Sequence, residues 1–225
     1  MSNILIIGAN RGLGLEFAKQ YSDLGHHVFA TTRDKSKSDQ LIDIANTTVL
    51  ELDLNKDKSI DSFIEEISSI KIDILIHNSG IFHDEQLSED LDIDAWMNEM
   101  RINAITPIIL ARKLKQNVLE GEDKKIIFIS SQMGSIDDNY SGRFYFYRSS
   151  KSALNSAAKS LAIDWKDKSI SVLMLHPGWV KTDMGGKSAK LEIPDSIQLM
   201  IQVIRDLNLE TSGSFLNYEG KKLEW

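Results

Sequence analysis

Three side chains in the second half of the sequence have the types and spacing to move a proton. Tyr147 and Lys151 stand four residues apart in Tyr-Arg-Ser-Ser-Lys, which puts both on one face of a helix. An ammonium close to a phenol stabilises the phenolate and draws its pKa down from about 10. Ser131 ends the apolar run Lys-Ile-Ile-Phe-Ile-Ser-Ser, sixteen residues before Tyr147, and its hydroxyl can orient a carbonyl oxygen. Ser135, twelve residues before Tyr147, is a rival for that role. Tyr145 is a rival phenol in name only, because Ser149 stands where its ammonium would be. A Tyr-x-x-x-Lys spacing is common by chance, so its weight depends on what else the chain carries.

A second group of residues can hold phosphate. Gly8-Ala9-Asn10-Arg11-Gly12-Leu13-Gly14 follows the first apolar run and opens an amphipathic segment. Gly8 permits a tight turn, Gly12 lets backbone approach a pyrophosphate, and Gly14 allows close helix packing. The helix start then offers free N–H groups and a positive dipole end. No Gly-Lys-Ser/Thr follows, as a P-loop requires. After the second apolar run, Thr32 stands where an acid would accept from a ribose 2′-hydroxyl, and Arg33 follows it. That favours the 2′-phosphate of NADP(H) over NAD(H), which stays possible because Asp34 is adjacent. Arg11 can reach the same phosphate. Asp53, followed by Leu54, can accept from an adenine amino group or cap the next helix. Asn78-Ser79-Gly80 brings a glycine to another strand end, where a plain turn is the alternative.

Elements that position these groups are legible as a pattern. Strands are expected over 3–7, 27–31, 48–52, 72–76, 125–130, 169–175 and 214–217. Amphipathic helices are expected over 12–24, 35–45, 56–70, 94–119, 147–166 and 195–207. Continuous Ile/Leu/Val strands alternating with helices predict a doubly wound parallel sheet of about seven strands, with helices on both faces in a three-layer α/β sandwich. With 225 residues, 42% hydrophobic, and no repeat or linker, the chain reads as one domain spanning 1–225. In such sheets ligands bind beyond the carboxyl ends of the strands, where the motifs above fall.

The net charge of −7 is concentrated. Seven acids and no base lie between Asp84 and Glu99, leaving 26 acids and 26 bases elsewhere. That balance argues against nucleic-acid or anionic-membrane binding. The acidic stretch reads as a solvated loop and helix start, with a docking surface for a basic partner as the alternative. No membrane-length apolar run and no signal-peptide pattern are present, so a cytoplasmic location is expected. The absence of cysteine removes disulfides and thiolate chemistry. His77, His83 and His176 lie near strand ends without metal-ligand spacing, and no metal is expected. Trp179, Met184, Tyr140, Phe144 and Tyr145 can wall an apolar substrate pocket or serve as core or subunit contacts.

Taken in order, Gly8/Gly12/Gly14, Asp53, Asn78-Ser79-Gly80, Asn103, Ser131, Tyr147, Lys151 and Pro177-Gly178 resemble the short-chain dehydrogenase/reductase family over essentially the whole chain. Gly-Ala-Asn-Arg-Gly-Leu-Gly-Leu-Glu, Tyr-Arg-Ser-Ser-Lys-Ser-Ala-Leu-Asn and His-Pro-Gly-Trp-Val-Lys-Thr-Asp-Met-Gly-Gly are similar to its sniffer-type carbonyl reductases and bacterial C-factor-like proteins. The resemblance implies hydride transfer between NADP(H) and a small carbonyl or alcohol substrate. It assigns Tyr147 as proton donor, Lys151 as its partner and ribose anchor, and Ser131 as the substrate-oxygen donor. Asn103 would anchor a water linking Lys151 to solvent. The cofactor set it implies is Gly8, Asn10, Arg11, Gly12, Leu13, Gly14, Arg33, Asp53, Leu54, Asn78, Ser79, Gly80, Tyr147, Lys151, Pro177, Gly178, Val180 and Thr182, the last two at the carboxamide. It further implies a homodimer or homotetramer. The C-factor likeness carries a second reading, a nucleotide-binding signalling protein in which turnover is incidental. Departures include Ile7 where the family usually has Thr, Ser79 in its Asn-Ala-Gly signature, and a longer Ser131-to-Tyr147 spacing.

Overall fold

Apolar runs without polar alternation suit strands covered on both faces. All seven expected strands form in the computed structural model, which describes residues 1–84 and 90–225. They are β1 (Asn3–Ile7), β2 (His27–Thr32), β3 (Thr47–Glu51), β4 (Ile74–His77), β5 (Lys125–Ile129), β6 (Ser171–His176) and β7 (Ser214–Asn217). Every pairing is parallel, in the order β3-β2-β1-β4-β5-β6-β7. The order reverses between β1 and β4, which opens a crevice beyond their carboxyl ends.

The helices are α1 (Gly12–Asp23), α2 (Asp39–Ile42), α3 (Asp57–Glu66), α4 (Ile93–Met100), α5 (Thr106–Lys113), α6 (Lys115–Leu119), α7 (Tyr145–Asp164) and α8 (Ile193–Asp206). Strand alternation divides the core between two faces. Leu5 and Ile7 of β1, with Ile126 and Phe128 of β5, pack with Phe63 of α3, Leu110 of α5 and Leu154 of α7. Ile4, Ile6, Ile127 and Ile129 point the other way, onto Phe17 of α1 and Met200 of α8. This is the three-layer arrangement expected, a Rossmann-like α/β fold.

Two expected helices differ. The pattern over 35–45 yields only a 3₁₀ turn (Lys35–Lys37) and the single turn α2. Asp34 and Ser38 explain the break. The Asp34 carboxylate accepts from Ser36 N–H at 3.0 Å, and Ser38 Oγ donates to the Asp34 carbonyl at 2.8 Å, diverting groups a helix would use. The stretch 94–119 is interrupted as well. A π-helical turn, Arg101–Ile105, separates α4 from α5, with Thr106 N–H bonding back to the Arg101 carbonyl. Pro107 lacks the N–H that an α-helix would direct to the carbonyl of Asn103, four residues earlier.

The acidic stretch is a helix start in part: the Asp92 side chain caps α4 by accepting from Ala95 N–H at 3.0 Å. Glu99 corrects the solvated reading, being fully buried beneath the crevice. Glu85 and Glu89 lie outside the described residues. Among the described residues, no helix is long and apolar enough to cross a membrane, and no three His, Cys, Asp or Glu side chains cluster as metal ligands would.

Candidate active site

Beyond the carboxyl ends of the strands lies a cavity of about 1270 Å³. Ordinary small-molecule sites occupy roughly 300–1,000 Å³, so this one has room for a dinucleotide and a second small molecule. Its two ends are built differently.

At the β1–β2 end the lining is Gly8, Asn10, Arg11, Leu13, Arg33, Lys37, Asp53 and Leu54. Gly8 has φ +83°, and a Cβ there would stand 2.2 Å from Ser79 Oγ, so only glycine makes this turn. Gly14 is a packing position rather than part of the lining. A Cβ on it would meet the Gly8 carbonyl oxygen at 2.1 Å and Asn78 Nδ2 at 2.6 Å. Asn78 Nδ2 donates to that same carbonyl at 2.7 Å, tying the strand-four signature to the glycine turn. The first turn of α1 has no side-chain cap and no acid, leaving its N–H groups for a ligand. Asn10 Oδ1 is buried without a hydrogen-bond partner beside them. The N–H groups fit a pyrophosphate, and the Asn10 oxygen, an acceptor, can take a ligand hydroxyl.

The adenosine side fits a charged ribose. Asp34, the neighbour that kept NAD(H) open, turns its carboxylate to Ser36 and Lys37. Arg33 has no ion-pair partner among the described residues and lines the cavity. Lys37, which sequence reasoning passed over as part of a helix, joins it there. Arg11 is instead ion-paired with Asp183 across the cavity mouth. Asp53 accepts from Asn55 N–H at 3.1 Å and pairs with Lys56 at 2.9 Å, while Lys56, not Asp53, occupies the N-cap of α3.

At the β4–β6 end, α7 carries Tyr147 and Lys151 one turn apart, both buried against the cavity floor. The Tyr147 phenol lies close enough to the Ser131 hydroxyl for that group to favour the phenolate. Burial raises the phenol to about 12, with the Glu99 carboxylate adding to the rise and the Ser131 hydroxyl opposing it. Burial lowers the Lys151 ammonium to about 8, against the pull of Glu99. Lys151 Nζ donates to the Ile129 carbonyl at 2.9 Å and sits 5.6 Å from the Tyr147 ring centroid. Desolvation therefore outweighs the ammonium effect expected at Tyr147, and the phenol is held as a proton donor.

Asn103 is buried behind this floor rather than in it. Its Oδ1 accepts from Ile81 N–H at 2.9 Å, and its Nδ2 donates to the Ile81 carbonyl at 2.8 Å and to Ser150 Oγ at 3.0 Å. Gly80 is the thin wall between them: a Cβ there would stand 3.5 Å from Asn103 Oδ1 and 3.6 Å from Lys151 Nζ. Ser135 is buried outside the cavity, donating to the Trp225 carbonyl at 3.1 Å and accepting from Asp138 N–H at 3.0 Å. Pro177, Gly178, Val180 and Thr182 line the cavity after β6. The Thr182 hydroxyl accepts from Gly185 N–H at 3.0 Å.

Of the proposed wall, Phe144, Trp179 and Met184 line the cavity, whereas Tyr140 and Tyr145 are exposed away from it. Phe82, Met133 and Arg148 also line it without having been singled out. His176 lines it too, burial lowering its imidazole to about 4. His77 is wholly buried beside Phe128 and lowered to about 3 by burial first and Lys151 second. His83 N–H donates to Glu99 at 3.0 Å, binding the loop after β4 to the buried acid.

A family model described as short chain dehydrogenase matches residues 2–192. C-signal of Myxococcus xanthus is 35% identical over 164 residues, covering 73% of this chain and 99% of that protein. The solved carbonyl reductase Sniffer of D. melanogaster superposes with a TM-score of 0.94 at 35% identity, covering 100% of both chains. An NADPH-bound carbonyl reductase from chicken fatty liver has a TM-score of 0.92 at 30% identity, covering 100% of this chain and 99% of that one.

Proposed function

The chain belongs to the short-chain dehydrogenase family, and on that premise we propose that it transfers hydride between NADP(H) and a small carbonyl or alcohol substrate. One observation carries the reading. A buried phenol, beside a serine hydroxyl and one turn from a buried lysine, shares a cavity with an uncapped helix N-terminus and an arginine that has no ion-pair partner among the described residues.

The nicotinamide cofactor supplies or accepts the hydride. The chain's own residues bind, orient and move one proton. The first turn of α1 takes the pyrophosphate, and Arg33 with Lys37 takes the 2′-phosphate. Ser131 donates to the substrate carbonyl oxygen, orienting it against Tyr147. The Tyr147 Oη proton goes to that oxygen in reduction and returns in oxidation. Lys151 supports the phenolate that remains and holds the ribose. Asn103 positions a water for proton resupply through its main-chain carbonyl, which Pro107 leaves without an α-helical donor. Val180 and Thr182 hold the carboxamide end.

Substitution Tyr147→Phe tests this. It should leave NADPH affinity within about threefold and lower kcat by about 10³-fold or more. Near-wild-type turnover would remove Tyr147 from the chemistry. The second reading, a signalling protein with incidental turnover, draws on the likeness to C-signal. It requires that Tyr147→Phe keep the protein's biological effect while turnover disappears.

The one sheet running from β1 to β7 supports a single domain over 1–225. Ile93, Met97, Ile105 and Ile109 are exposed along α4, the π turn and α5, which supports a homodimer or homotetramer. A monomer mass in light scattering at micromolar protein would overturn that assembly.

A further inference from the structure

Arg148 lines the cavity, and the chemistry above leaves it without a task. It follows Tyr147 directly in the first turn of α7. Its Nη2 donates to Ser141 Oγ at 3.0 Å, while its Nε is buried with no hydrogen-bond partner. Among the described residues, no carboxylate lies within ion-pairing distance of it. The acids bordering this cavity are engaged elsewhere. Asp138 accepts from Gln132 Nε2, Asp183 pairs with Arg11, Asp34 with Lys37 and Asp53 with Lys56.

The same cavity has an apolar wall of aromatic rings. Phe82 packs 5.4 Å from the Tyr147 ring and 5.6 Å from Phe144. Phe144 holds φ at +54°, after Arg143 at +59° and Gly142 at +64°. A left-handed phenylalanine is a costly conformation, and such strain collects at ligand sites. Here it turns the ring onto Phe82, and the Arg148–Ser141 bond ties down the same turn. A guanidinium N–H left unsatisfied among the described residues is one that a ligand's acceptor can satisfy. The planar fork of the guanidinium matches a carboxylate.

We propose that Arg148 is the specificity-determining anchor for an anionic substrate, an aldehyde or ketone with a flat apolar body and a carboxylate remote from the reacting carbonyl. The inference rests on the carbonyl-reductase reading and names its substrate class. The apolar body lies against Phe82 and Phe144, the carbonyl meets Ser131 and Tyr147, and the carboxylate meets Arg148.

The test compares 4-carboxybenzaldehyde with methyl 4-formylbenzoate in NADPH oxidation. In parallel, calorimetry compares 4-methylbenzoate with 4-methylbenzamide, neither of which can be reduced, on the NADPH-bound protein. The wild type should favour the acid at least about tenfold in kcat/KM and in binding. Arg148→Gln should bring both ratios to about one, chiefly through KM, whereas Ser141→Ala should keep them within about threefold. No acid preference in the wild type would overturn the proposal, as would an undiminished preference in Arg148→Gln. If neither aldehyde is reduced while the benzoate still binds through Arg148, the anchor stands and the reductase reading falls.

Discussion

At the β1–β3 end of the cavity the contacts on offer are mostly backbone. They are the Gly8 turn, the open N–H groups of α1 and the peptides that Asn78 ties to Gly8. At the β4–β6 end they are side chains: Tyr147 and Arg148 from α7, Ser131 and Met133 after β5, Phe82 after β4, and Trp179 after β6. The glycine turn and helix end depend on the absence of a Cβ and recognise the part of a ligand common to all dinucleotides, and the Arg33 and Lys37 side chains beside them are what can tell a 2′-phosphate from a hydroxyl. The β4–β6 end depends on what each loop places there, and under the proposed function it is the part that carries the reaction and the choice of substrate.

Substitutions can separate the two ends. Ser131→Ala should lower kcat/KM for carbonyl reduction by about 10²-fold while NADPH affinity stays within about threefold. An equal loss in both, measured by steady-state kinetics and calorimetry, would erase the boundary between them. A smaller effect follows from pH. Lys151 is lowered to about 8, so its ammonium is complete below that value and lost above it. Tyr147, raised to about 12, remains protonated throughout. The kcat/KM for NADPH, which reports the free enzyme, should therefore be level below about pH 7 and fall severalfold as pH rises through about 8. A rate that instead rose through that range would contradict the role given to the charged lysine. The smallest effect belongs to Ser135→Ala, which loses buried hydrogen bonds to Trp225 and Asp138. About 1–2 kcal/mol of stability should go, with Tm falling a few degrees, and kcat/KM should not change. A kinetic defect there would return Ser135 to the catalytic set.

The same contrast explains what could be read in the chain beforehand. Strands buried on both faces announce themselves as Ile/Leu/Val runs, and β1 and β7 form over the expected residues. Glycine turns are equally local. The misread elements are those where a side chain or a missing N–H overrides periodicity: Asp34 and Ser38 before α2, and Pro107 at the π turn. Buried Glu99 sat in an acidic stretch whose composition suggested water, and only packing beneath the loop after β4 distinguishes it from Asp92 or Asp94. Arg148 had no spacing signal, because its meaning depends on Phe82, Ser141 and Asp138 arriving from other elements. Tyr140 and Tyr145 fail for the same reason. Their sequence neighbourhood resembles that of Phe144, but the left-handed turn directs only Phe144 inward.

The claim beneath all of this is that the cavity is made for a dinucleotide with a 2′-phosphate. Calorimetric titration of NADPH and NADH, without substrate, into wild type and Arg33→Ala tests it most directly. NADPH should bind about 10- to 100-fold more tightly than NADH, and Arg33→Ala should remove most of that difference. Binding of neither nucleotide, or a preference for NADH in the wild type, would contradict it.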